Sequence, residues 1–224
     1  MDSRMIYHGH GVPPSDEVLY TNYFHDIVGS ENVAIECGAA NFGISTYIFE
    51  KYFGWACMNL EASKYAFKQL EENRVLACNY NIALSNKDGT AIFRDIVSAP
   101  GGGNDNGSLT HTEAHLKELK GYGCVFDEYA VTTVTYKTLI SMPVRLLVLD
   151  IEGHELQAIW GMSGSAFLPQ VVCVEYPISG FDNIFNAMTS LGYKYNFTSC
   201  NNAYYSFIEK DSWFGATERM KDIQ

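Results

Sequence analysis

Positive charge is scarce in this chain of 224 residues: 15 lysines and arginines stand against 26 aspartates and glutamates, a formal net charge of −11. Nucleic acids and anionic membranes are gripped by a basic face that displaces counterions, so this balance points away from both and toward an uncharged acceptor. No apolar run approaches the roughly 20 residues of a membrane span, and the amino end, MDSRMIYHGHGVPPSDE, has no apolar signal core. A cytoplasmic protein is expected. The cysteines, Cys37, Cys57, Cys78, Cys124, Cys173 and Cys200, are scattered and form no CxxC pair, which suits isolated thiols and argues against disulfides or a thiolate zinc site. Internal repeats, low-complexity tracts and the G-x-G-x-x-G phosphate fingerprint are missing too. What the chain has in quantity is aromatic material, Tyr 15 and Phe 13, enough for the core of a single domain over 1–224.

The residues from Val33 to Glu61 organise the rest. Val33-Ala34-Ile35 reads as a buried parallel strand ending on Glu36-Cys37-Gly38. Gly38 and Gly43 then bracket Ala39-Ala40-Asn41-Phe42, helical spacing runs from Ile44, and a second apolar strand, Trp55 to Leu60, ends on Glu61. This is the first half of a nucleotide-binding βαβ unit. Gly38 lets backbone approach a ligand, the helix amino end offers free N–H groups, and the Glu61 carboxylate can take both ribose hydroxyls. A pyrophosphate would be repelled by Glu36, whereas the ammonium and sulfonium of S-adenosylmethionine suit it.

Before this unit, residues 1–30 form an arm, with His8 and His10, and an amphipathic helix from Asp16 to Val28. After it come a helix, Ala62 to Asn73, and strands Val75 to Leu84 and Thr90 to Arg94. Residues 96–127 are glycine-rich and irregular apart from a helical stretch, Thr110 to Lys120, that carries His111 and His115; a segment of this length is expected to cover a substrate. Further strands are read at Tyr129–Tyr136, Arg145–Ile151, Val171–Val174, Tyr193–Thr198 and Tyr204–Ile208, with helical spacing around Leu156–Trp160 and Asp182–Leu191. Three core strands end in acids: Glu36, Asp150 with Glu152, and Glu175. Ligands of doubly wound sheets bind outside the carboxyl ends of the strands, so these acids are expected around one crevice. Asp150 and Glu152, two apart on extended chain, would face the same way.

Glu36-Cys37-Gly38-Ala39, Ser45-Thr46-Tyr47, Gly54-Trp55, Glu61, Ala83-Leu84-Ser85 with Asp88-Gly89, Asp150-Ile151-Glu152-Gly153-His154-Glu155 and Val174-Glu175 together resemble the FkbM family of S-adenosylmethionine-dependent methyltransferases. The most specific element is D-[VI]-E-G-x-E after a hydrophobic strand. The resemblance implies an α/β class I, Rossmann-like methyltransferase fold: seven strands, mostly parallel, with an antiparallel last strand and helices on both faces. It implies transfer of a methyl group to a hydroxyl oxygen of a sugar or glycan, a small-molecule or glycan acceptor, and cofactor contacts at Glu36, Gly38 and Glu61. Ala39, Asn41 and Gly43 would join them in the loop, and Asn81 to Ala83 would lie near the adenine. One position departs from the family: Phe42 stands where its second glycine falls, and Gly43 comes one later, so the loop must bulge or start its helix differently.

A sugar hydroxyl is a weak acid and needs help to lose its proton. Asp150 and Glu175, with Glu152 nearby, could hold Mg²⁺ or Mn²⁺, hard cations suited to oxygen ligands. Alternatively His154, with an ordinary pKa of about 6.5, could act as general base at the crevice mouth. Two rival functions share the βαβ unit. An NAD(P)-dependent sugar oxidoreductase would need a Tyr-x-x-x-Lys pair, and Tyr47 with Lys51 falls beneath the cofactor loop; a non-catalytic relative would bind the methyl donor or a glycan only. Oligomeric state is written in no motif found.

Overall fold

The structure, a computed structural model, describes residues 5–25, 27–100 and 106–207. Its elements begin with α1 (Ser15–Leu19), which continues as a π-helical turn Tyr20–Phe24, then β1 (Val33–Cys37), α2 (Tyr47–Phe53), β2 (Ala56–Leu60), α3 (Lys64–Asn73) and β3 (Cys78–Tyr80). Next come β4 (Ala83–Ser85), β5 (Gly89–Ser98), α4 (Glu113–Gly121), β6 (Val125–Thr135), α5 (Tyr136–Leu139) and β7 (Leu146–Leu149). The chain closes with α6 (Glu155–Trp160), β8 (Val171–Glu175), α7 (Phe181–Ser190), β9 (Tyr193–Ser199) and β10 (Asn202–Phe207). Ile208, the expected end of the last strand, lies outside the described residues.

Seven strands form the main sheet in the order β3-β2-β1-β7-β8-β10-β9. The pairs from β3 to β8 are parallel, and β10 runs antiparallel to both of its neighbours. The apolar runs read as central strands because both of their faces are buried. Ile35, Leu147 and Leu149 join a cluster with Ile159 of α6 and Met188 of α7, while Ala34, Leu146 and Val148 join another with Leu19 of α1 and Phe49 of α2. Truncating one of these leucines to alanine removes about 2–5 kcal/mol.

Two expectations are corrected here. The single strand Val75–Leu84 is two strands in two sheets. Asn81 ends the first by donating its Nδ2 to the carbonyls of Glu61 (2.7 Å) and Ala62 (3.2 Å), and β4 then pairs with β6 in a separate sheet of order β4-β6-β5. The irregular stretch 96–127 is also shorter than read. β5 and β6 form an antiparallel ladder reaching Ser98 and Val125, and α4 is capped by the Thr112 side chain, which accepts from His115 N. What is left of the segment outside these elements lies between Ser98 and Thr112, where 99–100 and 106–112 are described. Mutual backbone bonds of 3.0 Å between Arg94 and Ser108 pin it to β5.

Candidate active site

Two adjoining clefts open above the carboxyl ends of β1, β2 and β7, and both are bordered by Gly38, Ala40, Asp150 and Glu152. Gly38 stands between them for a steric reason. It has φ +77, and a Cβ there would lie 1.7 Å from the Asp150 carbonyl oxygen, so only glycine lets the ends of β1 and β7 approach this closely. Beyond it the loop crosses the end of β2, with Gly38 N and Ala39 N donating to Leu60 O at 3.0 and 3.3 Å.

The first cleft is lined on one side by Leu60, Glu61, Ala62 and Ser63 and on the other by Ile82, Ala83 and Leu84. Glu61 is 6% exposed; its Oε2 accepts from Ala40 N at 2.7 Å and its Oε1 from Ser63 N at 2.6 Å. A carboxylate has about four lone-pair sites, so one can serve several donors at once. Ala83 lines the cleft, whereas the Asn81 side chain is turned onto backbone carbonyls. Sequence reasoning missed a further group. Asp95 of β5 is 1% exposed yet borders this cleft, and its Oδ2 accepts from Ser63 Oγ at 2.7 Å and from the Tyr129 hydroxyl.

Glu36, expected beside the ammonium, is held by the loop that follows it. Its carboxylate accepts from Ser45 N (3.1 Å), Thr46 N (2.9 Å) and Thr46 Oγ1 (2.7 Å), leaving one of about four acceptor sites. These bonds take up the N–H groups expected to face a ligand, and the helix expected from Ile44 begins only at Tyr47. Burial raises the Glu36 pKa, against the opposing pull of Arg74 and these donors. Glu36, Ala39, Asn41 and Phe42 line the second cleft. The displaced glycine also has a structural account. Gly43 has φ +61, and the guanidinium of Arg74 occupies the space of its missing side chain while donating to the carbonyls of Phe42 (2.9 Å) and Gly43. Arg74 is itself buried and paired with Glu50 at 3.2 Å, so the loop is braced from α3. Sequence reasoning missed this residue; an arginine at a helix end carries no local signal of burial.

Asp150, Glu152 and Glu175 converge, each offering a carboxylate oxygen within 4.8 Å of the others. They do not meet by alternation on extended chain: β7 stops at Leu149, and a turn with Glu152 at φ +54 and Gly153 at φ +95 brings them together. The last acid of the D-I-E-G-H-E run holds that turn. Glu155 accepts from Ile151 N (3.1 Å), Gly153 N (3.0 Å) and the Ser179 hydroxyl. Burial and the negative charges of Asp150 and Glu152 push Glu175 up to about 9. Such a trio relieves its repulsion by keeping a proton or by taking a cation.

His154 sits deeper than the expected crevice mouth. It is 8% exposed, with Nε2 3.0 Å from Ser85 Oγ and Nδ1 2.5 Å from Thr110 Oγ1, and burial lowers its pKa to about 4. The ring joins β4 to the covering segment. His111 and His115 lie beside each other, ring centroids 5.3 Å apart, and border neither cleft.

A seven-stranded sheet of this order, with one antiparallel strand and its cleft above a glycine loop and two strand-end acids, is the fold of the class I S-adenosylmethionine methyltransferases. Residues 36–195 match the family model described as the methyltransferase FkbM domain, and the chain belongs to the FkbM methyltransferase family. Among solved structures it is similar to the methyltransferase FkbM of Methylobacillus flagellatus KT, with 11% identity and a TM-score of 0.52. That match covers 83% of this chain and 46% of the other, so this chain spans about half the length of that relative. A TehB-like S-adenosylmethionine-dependent methyltransferase of Corynebacterium glutamicum is 8% identical, with a TM-score of 0.46 over 92% of this chain and 90% of that one. A putative rRNA methylase of Clostridium thermocellum is also 8% identical, with a TM-score of 0.47 over 92% and 98%. No curated protein sequence matches the chain.

Proposed function

We propose that the chain is an S-adenosylmethionine-dependent O-methyltransferase for a neutral, hydroxyl-bearing acceptor, a sugar or glycan. The observation that carries this reading is the meeting of the two clefts at Gly38, Asp150 and Glu152. A nucleoside held at Glu61 and an acceptor held at the acidic trio have their reactive ends at that shared border.

S-adenosylmethionine, when bound, supplies an electrophilic methyl group on a sulfonium. The residues present fit it. Glu61 would accept from the ribose hydroxyls, Ile82 and Ala83 with Ala62 would enclose the base, and Gly38 and Ala39 would line the way from the first cleft to the second. Asn41 and Gly43 shape the loop. Collinear positioning of the reacting atoms can lower such a barrier by about 7–11 kcal/mol, and the braced loop serves that end.

Asp150, Glu152 and Glu175 offer a hard-oxygen set fit for Mg²⁺ or Mn²⁺, which when bound supplies Lewis acidity that eases loss of a hydroxyl proton. The same carboxylates are the proton acceptors nearest the shared border. His154, whose nitrogens are engaged by two hydroxyls and whose pKa is lowered to about 4, braces the covering segment and leaves the proton to the trio.

The lining of the second cleft supports a neutral acceptor. Asn41, Asn106 and Asn202 stand among its acids, and no lysine or arginine borders it among the described residues. A phosphate backbone would meet repulsion there, which disfavours an RNA acceptor. The brace from Arg74 gives the displaced glycine a structural account, which weighs against the rival reading as a non-catalytic relative. The test is transfer of labelled methyl from S-adenosylmethionine to a panel of neutral glycans, with RNA as comparison and with Mg²⁺ or EDTA present. Transfer to glycans that EDTA abolishes supports the reading. Full transfer in EDTA removes the cation, and transfer to RNA alone removes the glycan.

A further inference from the structure

Asp95 is used by none of the chemistry above, yet it is a carboxylate 1% exposed that borders the first cleft. Its orientation is dictated by two hydroxyl groups whose own bonding leaves them no choice. Ser63 Oγ accepts from Tyr65 N (3.3 Å) and Ala66 N (3.1 Å) as the cap of α3, and so its single proton points to Asp95 Oδ2. The Tyr129 hydroxyl accepts from Lys64 N at 3.0 Å, and its proton points to the same oxygen. Both donors thus fall on Oδ2. Among the described residues nothing donates to Oδ1.

Oδ1 is also kept clear. A Cβ on Gly107, in the covering segment, would lie 3.1 Å from Oδ1 and 2.7 Å from the Phe93 ring, so a side chain there would crowd this oxygen. Gly107 and Phe93 both line the first cleft with Asp95. Furthermore, Ser63 ties this group to the ribose acid: its N–H donates to Glu61 Oε1 at 2.6 Å and its hydroxyl to Asp95 Oδ2 at 2.7 Å. One cleft therefore carries two acids joined through a single serine, the second with an oxygen able only to accept. An acceptor on the wall of a cleft gains from a ligand donor that reaches it.

Resting on the reading that S-adenosylmethionine occupies this cleft, we propose that Asp95 recognises the exocyclic amine of its adenine and makes the site selective for a base that donates there. The hydroxyl of Ser63 and that of Tyr129 act as positioning groups. A base with an exocyclic oxo group would set acceptor against acceptor and leave both unsatisfied.

The test is calorimetric titration of the full chain with S-adenosylhomocysteine and with S-inosylhomocysteine, which differs by an oxo group in place of the amine. The wild type is expected to prefer the adenosyl compound by about tenfold or more. In Asp95→Asn, the amide oxygen can take over the hydroxyl protons and its NH₂ can face the cleft, so the preference should shrink by about tenfold or reverse. Equal wild-type affinity for the two compounds overturns the proposal without reference to any variant. So does a preference left unchanged in a folded Asp95→Asn protein, checked by its thermal transition. Absence of binding by either compound to the wild type instead overturns the cofactor reading itself, and this assignment with it.

Discussion

The two clefts share a border, but Glu61 and Asp95 of the first and the acidic trio of the second are treated in opposite ways. In the first, Glu61 takes two backbone N–H groups, and Asp95 takes two hydroxyl protons. In the second, Asp150, Glu152 and Glu175 face one another, and mutual repulsion with burial pushes Glu175 up to about 9. Acids oriented by fixed donors hold a fixed pattern of acceptors, which suits recognition of an invariant cofactor. Crowded acids repel one another, which suits a cation or a proton in transit. One glycine loop serves both, so changes to it should damage both clefts, and changes to either set of acids should damage one.

The largest effect is expected for Gly38→Ala, because its Cβ would overlap the Asp150 carbonyl at a backbone with φ +77. Overpacking and strain together predict a loss of about 3 kcal/mol or more in urea unfolding, with both clefts lost. Arg74→Met comes next. It leaves Glu50 buried without its partner and frees the carbonyls of Phe42 and Gly43, for a loss of about 3 kcal/mol. Methyl-donor binding should fall with it; unchanged binding would separate the loop brace from the cofactor.

Next in size, Glu175 sharpens the contrast through pH. Its folded pKa lies above that of an ordinary carboxyl, so the folded state holds the proton more tightly, and stability is lost as pH rises from about 4.5 toward 9. Glu175→Gln should flatten this limb in thermal unfolding, and Mg²⁺ should raise the melting temperature most at the alkaline end; a slope identical in the variant would contradict the crowding. The smallest effect concerns His154, buried with its pKa lowered to about 4. The unfolded state takes the proton first, so stability falls as pH drops from about 6.5 to 4. His154→Gln should reduce that acid-side loss while leaving the alkaline limb in place.

Most of the main sheet was legible because its strands are buried on both faces and read as unbroken apolar runs, Leu146–Leu149 above all. The strand-end acids were legible because a carboxylate beside a core strand is unusual. The second sheet was not. Its first strand, Ala83–Ser85, follows an apolar run with only Asn81 and Ile82 between, and its two long strands mix exposed and buried residues without a clean alternation. Asp95 sits within such a strand and has no motif around it; its role is visible only when Ser63 and Tyr129 arrive from elsewhere in the chain. Glu36 shows the converse limit: its place at a strand end was legible, but not that Ser45 and Thr46 would bend back to take its oxygens.

The most direct test of the shared border is a calorimetric titration with S-adenosylhomocysteine in EDTA, run on the wild type, Glu61→Ala and Glu175→Gln. Binding by the wild type, weakened about 100-fold in Glu61→Ala and unchanged in Glu175→Gln, is the predicted result. Binding that survives Glu61→Ala, or that requires the acidic trio, would contradict the division of labour between the clefts.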